Sequence, residues 1–144
     1  MLRSEFDAPL APGLIAYVDG QAAGWVRVGP RTAQPRLART RTFAASPHPW
    51  DDADVWAVTC FVVRRGHRGH GLAKALLAAA VDHARANEAT VIEAYPIDTS
   101  VATRPANELY VGTLSQFTRA GFTETARPKP DRAIVELRLD GPRR

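Results

Sequence analysis

Arginine and glycine crowd into one short run, Arg64 to Gly71 (RRGHRGHG), placed between an apolar stretch and a helical pattern. Glycines such as Gly69 and Gly71 at a helix start leave first-turn N–H groups open at the positive end of the helix dipole, where anions bind. The usual Ser, Thr, Asp or Asn cap is missing, because His70 and Gly71 stand in its place, and Arg68 and Lys74 add charge of the sign an anion neutralises. The chain's net charge of +4 equals the contribution of Arg64, Arg65, Arg68 and Lys74, all other charges cancelling. Such localisation favours a discrete anion site over the dispersed basic face of a nucleic-acid binder.

Spacing narrows the anion. Gly66 and Gly71 fit the glycines of a Walker loop, but Leu72-Ala73 follow where Lys and Ser or Thr are needed. A dinucleotide fingerprint begun at Gly69 and Gly71 requires Gly or Ala where Lys74 stands. The pattern that fits is R-x-x-G-x-A at Arg68, Gly71 and Ala73, directly after an apolar strand ending at Val63.

The elements that must carry this turn follow from periodicity. Leu14 to Val18 and Gly24 to Val28 flank Asp19-Gly20, a hairpin signal. Gly29 to Asp54 holds Pro30, Pro35, Pro47 and Pro49 and reads as a long loop with one short helical turn. Val55 to Val63 (VWAVTCFVV) is continuous enough for a strand buried on both faces, and Leu72 to Ala86 has helical spacing. Thr90 to Tyr95 is a second buried strand, parallel to the first if the helix is a right-handed crossover. Ile97 to Ala106 is a loop, Asn107 to Ala120 a helix stopped by Gly121, and Phe122 to Ala126 and Ala133 to Leu139 an antiparallel pair around the turn Pro128 to Asp131. The sum is an α/β (α+β) mixed sheet with helices packed on it, in one domain spanning residues 1–144.

In its motif and order of elements, together with CFVVRRGHRGHG, EAYPID and Ala120-Gly121-Phe122, the chain resembles the GNAT superfamily of N-acetyltransferases, in a little-characterised bacterial branch. The resemblance runs from about Leu14 to Leu139. It implies a mostly antiparallel sheet with a central splayed parallel pair and helices on both faces. It also implies acetyl-CoA as cosubstrate, held at its pyrophosphate by Arg68, Gly69, His70, Gly71, Leu72 and Ala73 and along its pantetheine arm by Phe61, Val62 and Val63. The acceptor it implies is a primary amine of a small molecule or peptide.

Acetyl transfer needs a deprotonated amine, a positioned thioester and a donor for the tetrahedral oxyanion. A backbone N–H around Phe61 to Val63 is the donor the resemblance implies. Glu93, the one carboxylate in an apolar strand, is the candidate base, since partial burial would raise its pKa toward neutrality. Its alternative is a structural ion pair. Many family members carry Tyr where Phe117 stands and use it to protonate the leaving thiolate; phenylalanine has no proton to give. Tyr110, two turns earlier on the expected helix, or Tyr95 could take over. Cys60 reads as a small apolar filler, and His67 with His70 is too little for a metal site. Relatives carry a strand and two helices before the hairpin, and the first strand and first two helices are expected to be absent here. That would leave an exposed edge for a homodimer to cover.

Several classes are set aside. No apolar run is long enough for a membrane span, and no signal peptide is recognisable in Met1 to Leu10. One cysteine excludes an internal disulfide framework and makes a cytoplasmic setting the expectation. Two rival readings stay open: a catalytically silent acyl-CoA binding or sensing module, motivated by Phe117 and the short N-terminus, and a general phosphate or nucleic-acid binder.

Overall fold

The computed structural model describes residues 2–4, 13–68, 71–105 and 109–139. Seven strands among these form one sheet: β1 (Leu2–Ser4), β2 (Gly13–Val18), β3 (Gln21–Pro30), β4 (Val55–Val63), β5 (Val91–Ala94), β6 (Thr123–Lys129) and β7 (Arg132–Arg138). Their spatial order is β1-β2-β3-β4-β5-β7-β6. Every pairing is antiparallel except β4 with β5, which are joined through helix α1 (Leu72–Ala86). Parallel neighbours need such a crossover, and the apolar stripe of α1 supplies the face that packs back on the sheet.

The hairpin expected at Asp19-Gly20 is present, with both residues at positive φ, 51° and 80°, as a tight turn between twisted strands requires. β4 and α1 span the residues expected of them. The short strand β1 pairs with β2 (Leu2 opposite Ala16) and corrects the expectation that the first strand is absent. No α-helix precedes β2 among the described residues.

Alternation along the strands builds two cores. One face sends Val26, Val28, Trp56, Val58, Phe61 and Ile92 against Leu76, Leu77, Ala80 and Ala84 of α1 and Phe117 of α2 (Leu114–Arg119). Full burial of an aliphatic side chain such as Leu76 contributes about 1.5–3 kcal/mol. The opposite face places Ala57, Tyr95 and Ile134 under Leu37 and Phe43. Those two residues come from the segment after β3, which forms 3-10 turns at Arg31–Ala33, Pro35–Arg39 and Arg41–Ala45. Three turns thus replace the single one expected, and they cover the face on which α-helices were anticipated.

Of the helix expected over Asn107 to Ala120, Asn107 and Glu108 lie outside the described residues, and the described part is helical only over Leu114–Arg119. Thr113 caps it, accepting from the Gln116 amide while the Gln116 side chain returns to the Thr113 N–H. This T-x-x-Q capping box is legible in the sequence and marks the start that apolar spacing alone misplaced. Gly112, just before it, has φ of +90°, and a Cβ there would lie 2.6 Å from Cε2 of Phe117. Gly112→Ala combines positive-φ strain with a clash against a fully buried ring, so a loss of about 2–4 kcal/mol is expected. The midpoint of urea unfolding checks this.

Candidate functional site

β4 and β5 stay paired from Val55 opposite Val91 to Val58 opposite Ala94, and then part. The parting coincides with an irregularity in β4: Arg27 of β3 faces Cys60, Val28 faces Val58, and Thr59 is the extra residue between them. Beyond this point β4 continues along β3 alone, and its other edge no longer pairs with β5. Bulges re-aim side chains where a strand must leave its partner, and this one turns Thr59 to the face opposite α1.

At the far end of β4 the chain makes a 3-10 turn (Arg65–His67) and reaches Arg68, whose Nε donates to the Val63 carbonyl at 3.2 Å. Gly71 caps α1 with φ of +77°, makes no side-chain capping bond, and has open space where a Cβ would be. The first turn of α1 contains no acid, and Lys74 is exposed there. The amides of Leu72, Ala73 and Lys74 therefore stand at the positive end of a fifteen-residue helix without an intrahelical acceptor. Gly69 and His70, the remaining expected pyrophosphate contacts, lie outside the described residues. The residues present suit an acyl-CoA pyrophosphate: an uncapped helix start, a glycine that lets phosphate approach the backbone, and an arginine beside it.

Of the expected pantetheine contacts, Phe61 points its ring into the core against Phe117, and Val62 is half exposed. Backbone groups of Phe61 and Val63 face the opening, and two of them are taken: the Val63 carbonyl accepts from Arg68, and one amide is also engaged. The Phe61 N–H, one of the amides from Phe61 to Val63 among which the oxyanion donor was expected, donates to the Tyr110 carbonyl at 2.7 Å. Tyr110 is not on a helix. It belongs to a turn closed by Gly112 N–H to Leu109 carbonyl at 2.9 Å, and this turn is clipped to Ile97 by Ile97 N–H to Gly112 carbonyl at 3.0 Å. Tyr110 therefore lies along the open edge of β4, exposed, rather than two turns above Phe117.

Glu93 needs the larger correction. A general base requires a free carboxylate oxygen facing the reacting amine, and Glu93 has none. Its Oε1 accepts from Arg31 Nη1 at 2.9 Å and from the Tyr95 hydroxyl at 2.8 Å, while Oε2 accepts from Ser46 at 2.6 Å. Both Arg31 and Glu93 side chains are 0% exposed. Arg31 also donates to Ser46 and to the carbonyls of His48 and Pro49, and its guanidinium lies 4.0 Å from the Trp50 ring centroid. Glu93 is thus the anchor that holds the 31–50 segment against the sheet. Tyr95 is no better as an acid, since its proton is committed to Glu93. Burial first, and the Glu93 charge second, push its pKa well above the ordinary phenol value.

The segment so anchored walls a cleft of about 770 Å³ on the face opposite α1. Tyr95 and Tyr110 line it with Arg27, Arg36, Arg132 and Thr59. Gln34 fixes Thr59: its Nε2 donates to the Gly29 and Ala57 carbonyls at 3.1 and 3.4 Å, and its Oε1 accepts from the Thr59 hydroxyl at 2.9 Å. Sequence reading missed these residues because they come from a proline-broken loop without periodicity and from scattered strand positions. Only the extra residue in β4 ties them together, and nothing local announces it. Among the described residues no cluster of three His, Cys, Asp or Glu side chains converges on a metal position, and no helix is long and apolar enough to cross a membrane.

The profile of the acetyltransferase (GNAT) family matches residues 2–112 of this chain. No curated protein matches it. Among solved structures, the GNAT domain of S. lividans PAT is 23% identical with a TM-score of 0.57, over 88% of this chain and 59% of that one. YncA from Salmonella typhimurium, determined with its cofactor acetyl-CoA, is 20% identical with a TM-score of 0.58, over 90% of this chain and 65% of that one. A GCN5-related N-acetyltransferase from Kribbella flavida is 17% identical with a TM-score of 0.58, over 92% and 72%. At these identities the likeness is one of fold. The chain spans between 59% and 72% of the length of these three structures.

Two outcomes test the site chemistry. Glu93→Gln leaves the buried Arg31 without its counter-charge, so about 3–5 kcal/mol of folding stability should be lost in urea denaturation; a base role would instead remove activity with stability unchanged. Cys60 has its thiol pKa raised by burial, against a smaller opposing pull from Arg27. Its alkylation by iodoacetamide at neutral pH should run slower than that of glutathione and rise through the alkaline range, as mass spectrometry can follow.

Proposed function

The chain belongs to the acetyltransferase (GNAT) family, and from that premise we propose that it is an acetyl-CoA-dependent N-acetyltransferase acting on a primary amine by direct attack in a ternary complex. The observation that carries this reading is the uncapped, glycine-opened start of α1 standing directly beyond the strand whose free edge begins where β4 leaves β5. Arg68, Gly71 and the amides of Leu72 and Ala73 would hold the pyrophosphate, and Gly69 and His70 are proposed to complete that contact. The Val63 N–H, turned to the open edge by strand alternation, would pair with the pantetheine arm beside Phe61 and Val62, the Val63 carbonyl being held by Arg68. Acetyl-CoA bound there supplies an activated acyl group.

The chain's own groups then have separate tasks. The Phe61 N–H would exchange the Tyr110 carbonyl for the thioester carbonyl oxygen and stabilise charge as it develops there. The amine nitrogen attacks the carbonyl carbon, the carbon–sulfur bond breaks, and the sulfur leaves as thiolate. Tyr110, exposed at the cleft edge, is the retained candidate for the proton the thiolate takes up. With Glu93 sealed, the amine proton passes to water. The guanidiniums of Arg27, Arg36 and Arg132 assist, since neighbouring positive charge disfavours the ammonium form.

Calorimetric titration with acetyl-CoA, with ATP and a short DNA duplex as controls at matched ionic strength, tests the reading. Selective micromolar-range binding is expected. Arg68→Ala should weaken it by about 1–3 kcal/mol, as for a lost charge-assisted contact, and Gly71→Glu should abolish it by placing a carboxylate where phosphate approaches. Unchanged affinity in both variants would remove the assignment.

A further inference from the structure

The cleft opposite α1 is lined by three arginines and no carboxylate. Acids near it are already engaged: Glu93 holds Arg31, Glu136 contacts His48 at 2.5 Å, and Asp131 pairs with Arg104. Arg132 donates through Nε to the Tyr95 carbonyl at 2.6 Å and lies 5.9 Å from the Phe43 ring centroid, and its two terminal nitrogens have no partner among the described residues. Arg27 and Arg36 likewise make no ion pair among the described residues. Burial lowers the Arg132 pKa, and the nearby Tyr110 and Asp131 only partly oppose it. A half-buried fork of donors with nothing to bind is costly until a carboxylate or phosphate completes it.

One acceptor for a different group stands beside them. Because the Thr59 hydroxyl gives its proton to Gln34, its lone pairs remain for an N–H donor, at the position where β4 leaves β5. Resting on the transferase reading, we propose that the acceptor is a small amine that carries its own carboxylate or phosphate, its nitrogen at Thr59 and its anion on Arg27, Arg36 and Arg132. A polyamine or a lysine-rich tail meets only positive charge here. A single anion leaves part of the arginine field uncompensated, so the nitrogen is still held toward its neutral, nucleophilic form.

Charge-matched twins test this. The purified chain is titrated calorimetrically at low ionic strength with N-acetylglycine against N-acetylglycinamide and with phosphoethanolamine against ethanolamine, and thiol release from acetyl-CoA is followed with glycine, glycinamide, phosphoethanolamine, ethanolamine and putrescine. An anionic member should bind about tenfold or more tightly than its neutral twin, as a charge-assisted contact gives, and any turnover should favour the anionic amines. The comparison between carboxylate and phosphate twins shows which anion is read. Arg27→Gln combined with Arg132→Gln should erase the preference while acetyl-CoA affinity is kept, and exposed Arg36→Gln alone should reduce it. Equal binding of the twins, a preference that survives the double variant, or preferred turnover of putrescine would overturn the proposal. Loss of acetyl-CoA affinity in the double variant would overturn it too, assigning these arginines to coenzyme phosphates. If the unmodified chain fails to bind acetyl-CoA at all, the transferase reading falls first, and the acceptor role of the cleft falls with it.

Discussion

The buried pair of Arg31 and Glu93 is the contact on which the acceptor side of this molecule depends. Both side chains are withdrawn fully from water, and each makes further hydrogen bonds that offset its desolvation. Glu93 stands opposite Glu136 on β7, so two carboxylates share one sheet face and repel each other unless positive charge lies beside them. The Arg31 guanidinium meets Glu93 and the His48 ring bonds Glu136, and both residues come from the segment between β3 and β4. A proline-broken stretch of short 3-10 turns is thereby fastened to the sheet through one ionic hub. Leu37 and Phe43 of the same stretch cover Tyr95 and Ile134 as a small second core.

The sheet divides the labour of the proposed reaction between its two faces. On the α1 side an apolar core of close-packed side chains fixes the helix whose first turn offers free amides. On the other side the anchored loop walls a cleft rich in arginine. The two meet only where β4 parts from β5, and there the extra residue Thr59 faces the cleft while the amide of Phe61 faces the open edge. Close packing leaves little freedom for these groups to drift, so the parting of two strands is also what would bring thioester and amine together.

The turn around Tyr110 links both sides. Its carbonyl saturates the Phe61 amide, its side chain lines the cleft, and Gly112 lets the chain reverse into the capping box of α2. A buried-edge N–H left without an acceptor is costly, and the Tyr110 carbonyl meets that need.

Much of this was legible in the amino-acid order alone. Val55 to Val63, the turn with Arg68 and Gly71, Leu72 to Ala86 and the Asp19-Gly20 hairpin follow from local periodicity and turn chemistry, which act between near neighbours. The motif and its order were enough to name the family that residues 2–112 match. The start of the helix expected over Asn107 to Ala120 was misplaced because apolar spacing outweighed a capping box four residues long, Thr113 to Gln116. The roles of single polar residues were not legible. Glu93 reads equally as a base or an ion-pair partner until Arg31, sixty-two positions earlier, is found beside it. Arg27, Thr59 and Arg132 become one site only when three strands and a loop are brought together. Sequence determines what each segment buries, because burial is decided by local pattern. Tertiary structure alone decides which charges meet, because a buried charge takes its partner from whatever element the fold lays against it.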